Sequence, residues 1–308
     1  MNFLGIEIGG SKLQISTGTA EGIIIDRQRM VVDHNGGGER IRDQIKSVIE
    51  RIHPQFKWNA VGVGYGGPVD WKSGRICCSH HVGGWDDFPL SEWLHGLTGL
   101  PVTVDNDSNV AALAEARLGV GAGMNPVFYT NSGSGVGGGL VVDGKIYHGF
   151  KPGEAEFGHI RLDREGTLVE ERCSGWAVDR LVRESVAEEP DSILARLSTE
   201  SGHTGARTLT PALAAHCPIA GRILEQTAED LAFALSHVVH LFHPEVIVLG
   251  GGLSLIGEPW RAAVARLLPR FVMRALAPGP EIRLSGLGED IVPAGALLLA
   301  MKAGRNSE

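Results

Sequence analysis

Short apolar runs alternate with glycine-rich breaks along this chain, and the pattern predicts strands that end in tight turns. Phe3 to Ile8 is apolar and β-capable, Gly9-Gly10 breaks it, and Lys12 to Thr17 alternates before Glu21-Gly22 turns the chain again. After Gly36-Gly37-Gly38, the residues Ile41, Ile45, Val48, Ile49 and Ile52 recur at helical spacing, and Pro54 closes that helix. Ala60 to Val63 reads as a buried strand that runs into Gly64-Tyr65-Gly66-Gly67-Pro68. Pro101 to Val104 is a short strand delivering Asp105-Asn106-Asp107 to its end. Asp107 or Ser108 is the expected cap of the alanine-rich helix that follows through Ala116.

A second run of strands starts at Val127, crosses the glycines of 133–139 and continues through Leu140 to Val142, with Asp143-Gly144 as a hairpin turn. The longest helix is predicted from Ile219 to Phe242, ending at His243-Pro244 and feeding a strand over Val246 to Leu249 before Gly250-Gly251-Gly252. Ala294 to Ala303 forms a small-residue helix, and the polar stretch from Asp191 to Thr210 carries the weakest signal. A strand-rich glycine turn thus occurs twice, near residue 9 and near residue 134. This duplication predicts two related α/β halves with a ligand cleft between them.

Composition narrows the classes. A chain of 308 residues suits two domains, and its 43% hydrophobic and 21% charged content is that of a globular protein. The 43 glycines are about twice the usual share, yet follow no collagen period, and their clustering points to turns that bring backbone close to another group. A net charge of −8 without a basic block speaks against nucleic acid as a partner. Cys77, Cys78, Cys173 and Cys217 form no disulfide framework, which predicts a reduced, cytoplasmic setting, with the neighbouring Cys77 and Cys78 packing as small apolar side chains. No signal peptide and no apolar run of ~20 residues is visible, so no membrane partner is expected.

Four segments carry chemistry. In Glu7-Ile8-Gly9-Gly10-Ser11-Lys12, adjacent glycines let backbone N–H groups approach a phosphate, and Glu7 can hold magnesium directly or through water; an ordinary hairpin is the alternative. Gly133-Ser134-Gly135-Val136-Gly137-Gly138-Gly139 is too glycine-rich to be the interior of a strand chosen for stability. Asn106-Asp107-Ser108-Asn109 crowds four polar residues at a strand end, more than a helix cap needs. Glu154, Glu156 and His159, with Glu170 downstream, suit a hydroxyl-rich ligand. Zinc is not expected, since His159 and Cys173 alone cannot complete a tetrahedral site.

Together these motifs resemble the ROK family, a branch of the hexokinase–actin–heat-shock superfamily that includes bacterial glucokinases and fructokinases. The resemblance runs from Leu4 to about Ala300, through Glu7 to Lys12, Gly64 to Asp70, Gly84-Trp85, Asn106 to Asn109, Gly133 to Gly135 and Val248 to Gly252. It implies a two-domain, actin-like (ribonuclease H-like) α/β ATPase fold with an interdomain cleft. The smaller N-terminal domain would comprise residues 1–107 plus 292–308, and the larger C-terminal domain residues 108–291. Asp107 is then the expected catalytic base. Gly67, His81, Asn106, Asp107, Glu156, His159 and Glu170 are the expected sugar contacts. Gly9, Gly10, Ser11, Lys12, Gly133, Ser134 and Gly135 would surround the phosphates, Gly251 and Gly252 would approach the adenosine, and Glu7 would serve magnesium.

Three positions depart from the family pattern: Glu7 stands where Asp is usual, His81 where a sugar-binding Asn precedes Gly-Trp, and the cysteine-rich zinc loop is missing. The function implied is ATP- and Mg2+-dependent phosphorylation of a hexose hydroxyl, by a protein expected to be a homodimer. The alternative is a non-catalytic sugar sensor or regulator, kept open by Glu7 and His81. A kinase for a small acid is a weaker reading, because Glu156, Glu170 and Asp107 would repel an anion.

Overall fold

The computed structural model describes residues 1–10, 12–32, 36–79, 82–153 and 155–305. By its internal contacts the chain divides into two compact units: Met1–Gly123, Gly139–Ala155 and Gly286–Glu308 form the first, and Met124–Gly138 with Glu156–Ser285 form the second.

In order, the chain forms β1 (Asn2–Ile8), β2 (Lys12–Thr19), β3 (Ile24–Val31), α1 (Gly37–Ile52), β4 (Trp58–Tyr65), β5 (Val69–Asp70) and β6 (Arg75–Ile76). There follow α2 (Leu90–Thr98), β7 (Val102–Asn106), α3 (Asp107–Arg117), β8 (Val127–Ser132), β9 (Val136–Val142) and β10 (Lys145–Ile146). The remainder comprises α4 (Val169–Cys173), α5 (Gly175–Glu188), α6 (Ile193–Ser201), α7 (Leu209–Ala214), α8 (Pro218–Phe242), β11 (Val246–Gly250), α9 (Glu258–Leu267), β12 (Glu281–Leu284) and α10 (Ile291–Arg305).

The first sheet has the order β3-β2-β1-β4-β7, with β2 antiparallel to both β1 and β3, and with β1, β4 and β7 mutually parallel. Parallel strands covered on both faces are apolar almost throughout, and Leu4, Ile6, Val61 and Val63 are fully buried. The second sheet runs β10-β9-β8-β11-β12, repeating the same succession: two hairpin neighbours, the leading strand, then two parallel additions. The duplication read from the glycine turns is therefore a duplication of topology.

Several local expectations are corrected. Gly137, Gly138 and Gly139 lie inside β9 rather than in a loop. At Gly139 close packing requires the missing side chain, because a Cβ there would stand 2.7 Å from the Ala112 Cβ and from the Ser108 carbonyl of α3. The polar stretch around 191–210 contains α6, capped by the Ser192 hydroxyl, which accepts the Ala195 N–H at 3.1 Å. Cys77 is exposed rather than packed. The first unit also includes 108–123 and 139–155, which the sequence reading gave to the second domain, because α3 packs on α10 and β4 and touches β10. Among the described residues no helix is long and apolar enough to cross a membrane.

Candidate functional site

In the first unit, the site grows from the ends of three parallel strands. The turn after β4 is tied to β1 by the Gly66 N–H, which donates to the Ile8 carbonyl at 2.8 Å. It is tied to β7 by the Asn106 Nδ2, which donates to the Gly67 carbonyl at 3.2 Å. Asn106 is also the cap of α3: its Oδ1 accepts the backbone N–H groups of Ser108 at 2.8 Å and Asn109 at 3.3 Å. The expected cap, Asp107 or Ser108, is thus corrected. Asn106 keeps extended backbone (φ −64°, ψ 144°) and faces the orphan N–H groups, whereas Asp107 is already the first helical residue.

Asp107 consequently stands on the first turn of α3, half-buried, with one oxygen 3.2 Å from the Ser108 hydroxyl that donates to it. Its other oxygen would lie 3.3 Å from a Cβ placed on Gly66, and the Gly9 Cα would lie 3.4 Å from that same point. The carboxylate, Gly66 and the first glycine turn are therefore immediate neighbours. Gly9 and Gly10 line a small recess with Ile8, Tyr65, Gly66 and Trp85. Burial pushes the Tyr65 hydroxyl up to about 12, with the Ser79 hydrogen bond opposing and Cys78, Asp86 and Asp107 adding to it. Trp85, part of the expected sugar segment, is a core residue packed edge-on against Tyr65 and Phe88.

Glu7 lies near the end of β1 and is 4% exposed. Its Oε1 is 3.3 Å from the Lys12 ammonium, and its Oε2 accepts the Gln14 Nε2 at 2.5 Å. Burial raises its pKa, and Lys12 and Gln14 only partly oppose that. Gln14 Oε1 is buried without a hydrogen-bond partner. The oxygens of Glu7 and Gln14 are donors that a hard divalent cation takes, and the Lys12 ammonium beside Glu7 favours holding it through water.

The second unit gathers the other candidates. Glu170 Oε2 accepts the Val136 N–H at 2.9 Å, and the Gly175 N–H donates to the Gly133 carbonyl at 2.6 Å, so the segment 170–175 clasps the 133–136 turn from outside. A Cβ on Gly135 would stand 2.3 Å from Glu170 Oε2, so any larger residue there displaces that carboxylate from the Val136 N–H. Gly158, between Glu156 and His159, packs directly on the Val136 carbonyl, where a Cβ would approach to 2.2 Å. Glu156 and His159 themselves are exposed. Gly251 adopts left-handed backbone (φ 77°) and lies against the Ser132 backbone, with 2.6 Å to an added Cβ. Gly251 and Gly252 thus join Gly133, the exposed Ser134 and Gly135 at the ends of β8 and β11.

The structure therefore groups Glu7, Gly9, Gly10, Lys12, Gly67, Asn106 and Asp107 in the first unit, and the remaining described candidates in the second. Ser11, His81 and Glu154 lie outside the described residues. Among the described residues no three His, Cys, Asp or Glu side chains converge as metal ligands. Cys173 is fully buried, its thiol donating to the Thr227 carbonyl and its pKa pushed well up by burial. Gln14 and His148, the partner of Asp105, belong to no local motif, and the sequence gives neither a role.

A profile of the ROK family matches residues 3–303. The chain is 31% identical over 302 residues to a glucokinase of Halalkalibacterium halodurans, spanning 94% of this chain and 91% of that one. It is 30% identical over 281 residues to a glucokinase of Streptomyces coelicolor, spanning 86% and 87%. Among solved structures, a ROK family glucokinase from Streptomyces griseus in complex with glucose and AMPPNP superposes with a TM-score of 0.85 at 27% identity, covering 98% of this chain and 100% of that one. With these relatives the chain shares the actin-like ATPase fold.

Proposed function

The chain belongs to the ROK family, and from that premise we propose that it is an ATP-dependent sugar kinase phosphorylating a hexose hydroxyl, with Asp107 as the base. The observation that carries the reading is the corner between β7 and α3. There Asn106 takes over the capping and Asp107 is turned toward Gly66 and the first glycine turn. Kinship with glucokinases over most of their length, one of them solved with glucose and an ATP analogue, supports the substrate classes.

Phosphoryl transfer needs positioning and charge neutralisation more than covalent help. Asp107 orients the attacking hydroxyl and takes its proton as the bond to phosphorus forms. Asn106 and the Gly67 segment hold the sugar, and family kinship assigns further sugar contacts to Glu156, His159 and Glu170. The Gly9 and Gly133 N–H groups close their turns onto the Lys12 and Gly135 carbonyls, so the N–H groups of Gly10, Ser134 and Gly135 receive phosphate oxygens beside Ser11 and Lys12, and Gly251 and Gly252 receive the adenosine. Glu7 and Gln14 are the residues that would hold magnesium, which neutralises phosphate charge when bound.

The test is ADP release measured across glucose, fructose, mannose and an N-acetylated hexose, with ATP and magnesium, for the native chain and Asp107→Ala. Sugar-dependent release lost in the variant is expected. Sugar binding without release from the native chain would make it a sensor and overturn the kinase reading.

A further inference from the structure

Asp105, immediately before the proposed sugar ligand and base, has no part in the reaction as derived, yet its carboxylate accepts from three separate groups. It is 2% exposed. Its Oδ1 accepts the backbone N–H of Asn106 and the Nδ2 of Asn109, each at 2.9 Å. Its Oδ2 lies 2.6 Å from His148 Nε2, and the two side chains are 3% and 10% exposed. A carboxylate only accepts hydrogen bonds, so Nε2 carries the hydrogen and the ring donates.

His148 is itself fixed. Its ring stacks on Trp71 with centroids 4.1 Å apart and planes 12° from parallel. The segment that carries it is pinned at two further points: the Gly153 carbonyl accepts the Asn109 Nδ2 at 3.3 Å, and Lys151 pairs with Asp70. Strand end, helix start and the 148–153 segment thus converge on one buried carboxylate. Asn106 is the joint between them, since its N–H is held by Asp105 while its side chain caps α3 and reaches Gly67.

We propose that His148 is a positioning residue for phosphoryl transfer, acting through Asp105 on the corner that carries Asn106 and Asp107. The proposal rests on Asp107 being the base. Removing the donor leaves a buried carboxylate short of a partner, and Asp105 then turns away from the Asn106 N–H. The helix start rotates with it, and Asp107 no longer points at the hydroxyl. A displacement of about 1 Å at a reacting group costs on the order of a hundredfold in rate.

Two substitutions separate the hydrogen bond from the ring. His148→Phe keeps the stack on Trp71 and removes the donor, whereas His148→Gln removes the ring but places an amide N–H where Nε2 stood. Steady-state kinetics with ATP and the best sugar are expected to show kcat lowered about 10- to 100-fold in the Phe variant, with sugar KM within about threefold. The Gln variant is expected to recover kcat to within about threefold of the native chain. A folded Phe variant with native kcat overturns the proposal, and so do Phe and Gln variants that are equally impaired. His148→Leu replaces the Phe variant should that not fold. If neither folds, the pair is a requirement of the fold and the positioning role is overturned. Asp107→Asn in the same assay separates the two levels: native turnover there sinks the base assignment itself. Its loss beside an active His148→Phe sinks only the positioning role.

Discussion

Asp107 illustrates how little of a side chain's role lies in its own identity. An aspartate at a helix start is usually a cap, and here the preceding asparagine has taken that task. Asp107→Ala is expected to lower kcat at least about a thousandfold while sugar affinity, read by calorimetry, changes only modestly. Tyr65 offers a test by pH. Its folded pKa of about 12 lies above the ordinary 10, so the native state holds its proton longer than the unfolded chain does. The stabilisation is therefore complete below pH 10 and is lost as pH rises from 10 through about 12. Chemical melts across that window should show up to about 2–3 kcal/mol of loss attributable to this group, absent in Tyr65→Phe. At Gly135, a methyl group must push Glu170 from the Val136 N–H. Gly135→Ala is expected to raise the KM for ATP about tenfold or more, with the melting temperature barely moved.

Helix α3 carries the proposed base on its first turn, so what holds its far end also matters. Glu115 is fully buried near that end. Its Oε2 accepts the Val120 N–H at 2.9 Å, and its Oε1 accepts the N–H groups of Gly286 at 3.1 Å and Leu287 at 3.4 Å. The carboxylate thereby stitches the loop after α3 to the chain entering α10. Glu115→Ala removes a buried acceptor of three N–H groups that water can reach in part, and is expected to cost about 1–3 kcal/mol in urea unfolding. At a temperature where the variant remains folded, kcat should stay native, because the cap at Asn106 is untouched.

The first unit is assembled from three separate stretches of chain, and its last piece, α10, packs against β1, β4 and α3. Leu297 and Ala300 of that helix are fully buried with Phe3 and Ala60. The unit carrying the proposed base therefore cannot complete its core until the end of the chain is in place. Deleting residues 291–308 is expected to abolish the cooperative thermal transition of this unit, measured by calorimetry on the truncated chain. A truncated chain that kept that transition would mean α10 is an accessory rather than part of the core.

Much was legible without coordinates where the signal is local. Period-two and period-3.6 patterns located β1, β2, α1, α3 and α8, and glycine pairs marked the turns after β1 and β4, because side-chain periodicity and turn chemistry act over a few residues. Family motifs resting on such turns were equally readable. Pairings between distant residues were not: Asp105 with His148, Glu170 with Val136, and Glu115 with Gly286 are 43, 34 and 171 positions apart. No periodicity announces them, since a buried polar group takes whichever partner the fold brings within about 3 Å. Sequence by itself determined the strands, helices and glycine turns whose periodicity is strong, such as β1, α1, α8 and the turns after β1 and β4. Tertiary structure alone decided that Asn106 rather than Asp107 caps α3, and that three glycines pass inside β9. Both outcomes follow from neighbours that only packing supplies.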